Sequence, residues 1–164
     1  MTDVYAIRRA HATDLPAIYA GELDYIRQIE PEQEVRWRDG LYWHIKQWSN
    51  DLDRMFIAEC SGEFIGYCFW EAHGDAAVLA SIYVLRDRRG AGLGRRLLTE
   101  FITDARTQGF ATLTLGVKPD NPARALYERA GFVYTHDNSG YCHYAYLVDS
   151  PAAGLPLVSG RAVW

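Results

Sequence analysis

The stretch LRDRRGAGLGRRLL, residues 85–98, constrains this chain more than any other. It packs five arginines and three glycines into fourteen positions, directly after the apolar run VLASIYV. Such a run, with almost no polar alternation, suits a strand covered on both faces of a sheet. Beyond the glycines, Leu93, Leu97, Leu98, Phe101, Ile102 and Ala105 share one helical face, and Gly109 is placed to end the helix. The chain therefore passes from strand to helix through Arg89-Gly90-Ala91-Gly92-Leu93-Gly94. A turn poor in side chains lets backbone N–H groups converge at a helix start, where unpaired amides and the helix dipole favour an anion. Arg86, Arg88, Arg89, Arg95 and Arg96 add formal charge around it. The combination suits phosphate, and more specifically a pyrophosphate.

The rest of the chain reads as alternating strands and helices. VYAIRRA predicts a strand over Val4–Arg9. A helix follows, with Thr13 as N-cap, and a second is expected over Glu34–Trp48, weakened by Gly40 in its middle turn. RMFIAECSGEFIGYCFWEA reads as a hairpin around Ser61-Gly62. Val78–Val84 is the apolar strand, and ATLTLGV is another. In DNPARALYERAGF, Asn121 caps a helix, Pro122 takes its first position and Gly131 ends it. FVYTHDNSGYCHYAYLV closes as a hairpin. The order predicts an α/β domain, a single mixed sheet with helices on both faces. One domain is expected over residues 1–149. Residues 150–164 form a tail with apolar Leu155, Leu157, Val158 and Trp164, suited to docking on the domain or to a subunit interface.

Composition narrows the partners. A net charge of −4 argues against general affinity for nucleic acid or an anionic membrane surface. No apolar stretch approaches a membrane span, and the N-terminus lacks signal-peptide order. Cys60, Cys68 and Cys142 are isolated and odd in number, with no metal-ligand spacing, as expected of reduced core thiols in a cytoplasmic protein without a metal. His44 reads as a packing residue, while His73 and His143 stay open as site candidates.

Two familiar phosphate motifs do not fit. A P-loop closes with Gly-Lys-Ser/Thr, but Gly94 is followed by Arg95-Arg96. A dinucleotide fingerprint wants glycine at 95 or 97, which hold Arg95 and Leu97. The spacing Arg89-x-x-Gly92-x-Gly94 instead resembles the pyrophosphate motif, Gln/Arg-x-x-Gly-x-Gly/Ala, of the GNAT superfamily of acyl-CoA-dependent N-acetyltransferases. Further on, NPARALYERAGF is similar to that family's second segment, with Asn121, Ala125, Leu126, Tyr127, Gly131 and Phe132 at matching spacing. The resemblance covers roughly residues 4–148, with the N-terminal helices and the tail matching only in outline.

What the resemblance implies is specific. The strand Val78–Val84 would splay from Leu113–Val117, and backbone groups at Ile82, Tyr83 and Val84 would pair with the pantetheine arm of acetyl-CoA. Amides of Arg89, Gly90, Ala91, Gly92, Leu93 and Gly94 would hold the pyrophosphate, and Asn121 would contact the cofactor. The Val84 N–H would stabilise the oxyanion, and Tyr127 would protonate the departing thiolate. The acceptor would be a primary amine, on a small molecule or a protein, attacking directly in a ternary complex. A homodimer is expected, as among relatives.

The general base is the departure. Many members keep a glutamate in the strand before the glycine turn, but Val78-Leu79-Ala80-Ser81 holds none. Glu22, Asp24, Glu59 and Glu71 are candidates through a water, or ordinary acids. Residues 22–34 set Glu22, Asp24, Glu30, Glu32 and Glu34 against Arg27, which reads equally as a rim attracting a cationic amine or as a solvated helix end. Trp37, Tyr42, Trp43 and Trp70 supply either an aromatic wall or core. The missing carboxylate leaves two other readings open, an acyl-CoA-binding sensor without turnover and an acyltransferase with another acceptor or a longer acyl donor.

Overall fold

The computed structural model describes residues 3–147 and 161–163. In chain order the elements are β1 (Tyr5–Arg9), α1 (Leu15–Ile29), α2 (Glu34–Asp39), α3 (Leu41–Asn50), β2 (Met55–Cys60), β3 (Glu63–His73), β4 (Ala76–Val84), α4 (Leu93–Thr107), β5 (Thr112–Val117), α5 (Ala123–Arg129), β6 (Val133–Asn138), β7 (Tyr141–Leu147) and β8 (Arg161–Val163). The strands form one sheet in the order β1-β2-β3-β4-β5-β7-β6, with β8 beside β4. β1 to β4 form an antiparallel meander, β4 and β5 are parallel, and β5-β7-β6 is antiparallel again. The parallel step needs a crossover, and α4 supplies it.

Two apolar cores flank the sheet. On one face α4 and α5 bury Leu93, Leu97, Phe101 and Tyr127 against Cys68, Trp70, Ile82 and Leu115. On the other, α1 to α3 bury Ile18, Tyr25, Ile26, Trp37 and Trp48 against Ile57, Tyr67 and Tyr83. The fold is the mixed α/β arrangement with helices on both faces. The boundary at 149/150 and tail residues 150–160 and 164 lie outside the described residues.

Three local features differ from the sequence reading. The helix expected over Glu34–Trp48 breaks at Gly40, whose φ of −85° and ψ of 5° leave the helical region and separate α2 from α3. Thr13 sits inside a 3-10 turn, and Asp14 takes the N-cap position of α1 without a side-chain cap bond; its carboxylate turns back to accept the His11 N–H at 2.7 Å. β4 begins two residues early, at Ala76.

α4 is anchored where it crosses the sheet. Asp104, buried on α4, accepts the Trp70 indole N–H from β3 at 2.9 Å and pairs with Arg9 from β1 at 2.9 Å. At β3, a Cβ on Gly66 would lie 2.5 Å from the Tyr83 carbonyl oxygen, so only glycine lets β4 pass this closely. These contacts pin the last turn of α4 to β3 and β1 and hold β4 close against β3.

Candidate active site

β4 parts from β5 soon after the two begin to pair. Their ladder runs only from Ala76↔Thr112 to Val78↔Thr114, leaving the later residues of β4 without β5 as a partner. Side alternation fixes which groups face that gap. The Leu85 N–H donates to Ile65 of β3, so the N–H of Val84, one residue earlier, aims at the opposite edge, as does that of Ile82. The Val84 carbonyl faces the same way, and it accepts Arg89 Nε at 2.8 Å.

The glycine turn lies at the end of this edge. Gly90 and Gly92 have φ of +83° and +82°, a left-handed backbone that side chains strain. A Cβ at either would meet open space, so the requirement is conformational and not one of crowding. Gly92 is the N-cap of α4, with no side-chain cap and no acid in the first turn. The Arg96 N–H already bonds to the Gly92 carbonyl, which leaves the amides before it outside the helical ladder. A cavity of about 340 Å³ opens here, lined by Val84, Gly90, Gly92, Gly94, Arg95 and, from α5, Arg129.

The arginine collar is divided. Arg88, Arg89 and Arg95 line the cavity. Arg86 turns away to Asp24 of α1 at 2.8 Å, and Arg96 borders a separate surface hollow. Arg89 folds under the turn, its guanidinium 5.6 Å from the Tyr83 ring centre, and its buried Nη2 has no partner among the described residues. Ala130 and Arg129 escaped the sequence reading, and Leu126 was named only by its spacing, because only the packing of α5 brings them to the cavity.

Asn121 and Tyr127 come from the same segment. Asn121 is buried, and its Oδ1 accepts the Ala123 N–H at 2.9 Å, the expected cap. Tyr127 is buried beside Phe132, with 6.1 Å between ring centres. Burial raises its phenol above the usual range, and among the described residues nothing hydrogen-bonds its hydroxyl. Burial makes this phenol a weaker acid and keeps it neutral, so its O–H stands as a hydrogen-bond donor.

The four candidate bases separate cleanly. Glu59 pairs with Arg8, and Glu71 accepts from Gln47 and bonds His73, all on or beside the β2–β3 hairpin. On α1, buried Glu22 accepts Tyr67 Oη at 2.8 Å and also the Ser81 hydroxyl of β4. Asp24 accepts Tyr83 Oη at 2.7 Å. Its burial raises its pKa, but the hydrogen bonds from Arg86 and Tyr83 outweigh this and leave it below the ordinary value. The two α1 acids thus grip β4 beside the gap.

A second cavity, of about 480 Å³, is lined by Glu30, Gln33, Arg36, Trp37, His44 and Tyr141. Of the aromatic candidates only Trp37 lines it, stacked between Tyr19 and His44. Tyr42 and Trp43 are exposed on α3, and Trp70 belongs to the opposite core. Among the acids of residues 22–34, Glu30 is buried here and accepts from Tyr141, whereas Glu34 is held by Arg27 and Arg38. Among the described residues no cluster of three or more His, Cys, Asp or Glu could hold a metal, and no helix is long and apolar enough to cross a membrane.

A parted parallel pair with an uncapped, glycine-started helix at its end is the α/β arrangement that the acyltransferase resemblance implies. The chain belongs to the acetyltransferase (GNAT) family, whose sequence model matches residues 23–132. It is 42% identical over 86 residues to a mycothiol acetyltransferase of Streptomyces coelicolor, covering 50% of this chain but only 27% of that protein. It is 36% identical over 112 residues to the [ribosomal protein bS18]-alanine N-acetyltransferase of Haemophilus influenzae, covering 66% of this chain and 75% of the relative. In shape it matches the PaiA N-acetyltransferase of Thermoplasma acidophilum, solved in complex with coenzyme A. There the TM-score is 0.75 at 16% identity, over 88% of this chain and 99% of that one.

Proposed function

We propose that this chain transfers the acetyl group of acetyl-CoA to a primary amine, on a small molecule or at a protein amino group. The observation that carries this reading is the α4 N-terminus at left-handed Gly92, open beside a β4 edge that has left β5. The amides of residues 89–94 would hold a pyrophosphate, the β4 edge at Ile82–Val84 an amide-bearing arm, and Asn121 the segment between. The unbonded Tyr127 hydroxyl and the cavity's open glycines fit such a ligand. When bound, acetyl-CoA supplies an activated acyl carbon and a thiol leaving group of pKa about 8.5.

The chain's own residues divide the remaining work. The Val84 N–H, aimed into the gap, donates to a carbonyl oxygen placed there. The neutral Tyr127 O–H donates a hydrogen bond to the leaving sulfur and passes its proton as negative charge builds there. Proton removal from the amine falls to α1, whose Glu22 and Asp24 reach β4 through Ser81 and Tyr83. The relatives carry names of both acceptor kinds, one for mycothiol and one for a ribosomal-protein alanine. Glu30, paired with Lys118 at 3.9 Å, puts a buried carboxylate beside Trp37 in the wall of the second cavity, which suits a cationic amine. The three free thiols, all buried, suit a cytoplasmic protein, and exposed Val35, Tyr42 and Trp43 suit a homodimer contact.

The direct test is release of free thiol from acetyl-CoA against a panel of small amines, amino acids and peptides with free N-termini. Release with at least one amine is expected. Tight acetyl-CoA binding without release on any acceptor would instead make the chain a sensor, and release only with hydroxyl acceptors or longer acyl donors would move it to another acyltransferase class.

A further inference from the structure

The parted edge of β4 is already taken. β8 lies along it in parallel, with Ser81↔Arg161, Ile82↔Ala162 and Tyr83↔Val163 as partners. The edge toward β3 is occupied by the meander ladder, through Phe69↔Ser81, Cys68↔Ile82 and Tyr67↔Tyr83. β8 must therefore lie on the β5 side, where β4 and β5 have separated, and both β5 and α1 run beside it. The outward-facing groups in this span belong to Ile82, because alternation commits the N–H and carbonyl of Tyr83 to β3. In a parallel ladder the Ile82 N–H then donates to the Arg161 carbonyl, and its own carbonyl accepts the Val163 N–H.

Those two groups are the ones an acyl-CoA arm needs at Ile82. Ile82 is fully buried, and one N–H and one carbonyl cannot serve two extended chains at once. We propose that β8 is a built-in competitor, a strand of the chain's own C-terminal segment that closes the β4 edge and has to leave before acyl-CoA can seat. This rests on the acetyl-CoA reading above and adds a restraint to it. The device has a physical rationale, since an interior strand edge left bare exposes unpaired backbone and invites pairing with other chains. A short strand suits this role. Three residues make few hydrogen bonds, so a ligand that supplies its own amides and a pyrophosphate can displace it. The apparent affinity for acetyl-CoA is then its intrinsic affinity scaled by the fraction of molecules with the strand released.

Val163→Pro removes the N–H that β8 gives to Ile82 and leaves every described residue of 3–147 untouched. Calorimetry with acetyl-CoA should show about three- to thirty-fold tighter binding to this variant than to the wild type. A synthetic peptide of residues 155–164, added to the variant, should weaken that binding competitively. Hydrogen exchange gives an independent reading: acetyl-CoA should expose the Val163 amide while keeping Ile82 protected. Equal affinities in the two proteins, with Val163 protection unchanged by bound acetyl-CoA, would overturn the competitor. Absence of acetyl-CoA binding in both would overturn the acetyl-CoA reading itself.

Discussion

Tyr127 has a buried phenol with no hydrogen-bond partner among the described residues, so its hydroxyl is dispensable for packing and available for chemistry. Tyr127→Phe should lower kcat about 10²-fold or more with little change in KM for acetyl-CoA and an unchanged unfolding midpoint. An unchanged kcat across pH would remove the catalytic role. Glu22 makes a matching prediction. Glu22→Gln keeps an oxygen for Tyr67 and Ser81 but loses a proton acceptor, so its rate should fall at pH 7 and recover as pH rises toward the amine's own pKa of about 10. A profile parallel to the wild type would exclude it. His143 bears on stability instead. Burial, with the parallel His136 ring 4.7 Å away, holds its imidazole below the ordinary 6.5. The unfolded chain takes up this proton first, so the contribution is full above about pH 6.5 and lost as pH falls through the lower folded value. His136→Phe should move the His143 midpoint in an NMR titration part of the way back toward 6.5; no movement would contradict the coupling.

At the scale of elements, the strand-to-helix unit depends on α4 being pinned to the sheet. Asp104→Ala leaves the buried Trp70 indole N–H without its acceptor and should cost about 2–4 kcal/mol, read as a lower urea midpoint at unchanged slope. A loss under about 0.5 kcal/mol, the range of an ordinary surface change, would show that the anchor is not what holds α4. Elements set by local chemistry were legible in the sequence. Ser61-Gly62 turns a hairpin because both residues take positive φ, and Ser139-Gly140 repeats the device. Asn121 announced its cap. The break at Gly40 was not legible, since a glycine inside a helical pattern signals weakness without saying whether the helix yields. Nor was the 3-10 turn ahead of α1, which moves the helix start from Thr13 to Asp14 and leaves it without a side-chain cap.

Across the whole molecule, the gap between β4 and β5 joins everything proposed. The backbone half of the candidate site could be read from the glycine spacing, because left-handed turns need glycine whatever surrounds them. The cavity wall beside α5 could not, since Arg129, Leu126 and Ala130 reach it only through tertiary packing. Neither could β8, whose pairing depends on a partner edge far away in sequence. The five arginines do not form one collar: charge that is adjacent in sequence diverges in space, and Arg86 serves α1 instead of the cavity. The most direct measurement is calorimetric titration of acetyl-CoA into the wild-type chain and into Gly92→Val, which forces a branched side chain onto a left-handed backbone. The account predicts binding heat with the wild type and affinity at least about ten-fold weaker in the variant, with its fold retained. No heat with either protein, or equal affinity in both, would contradict it.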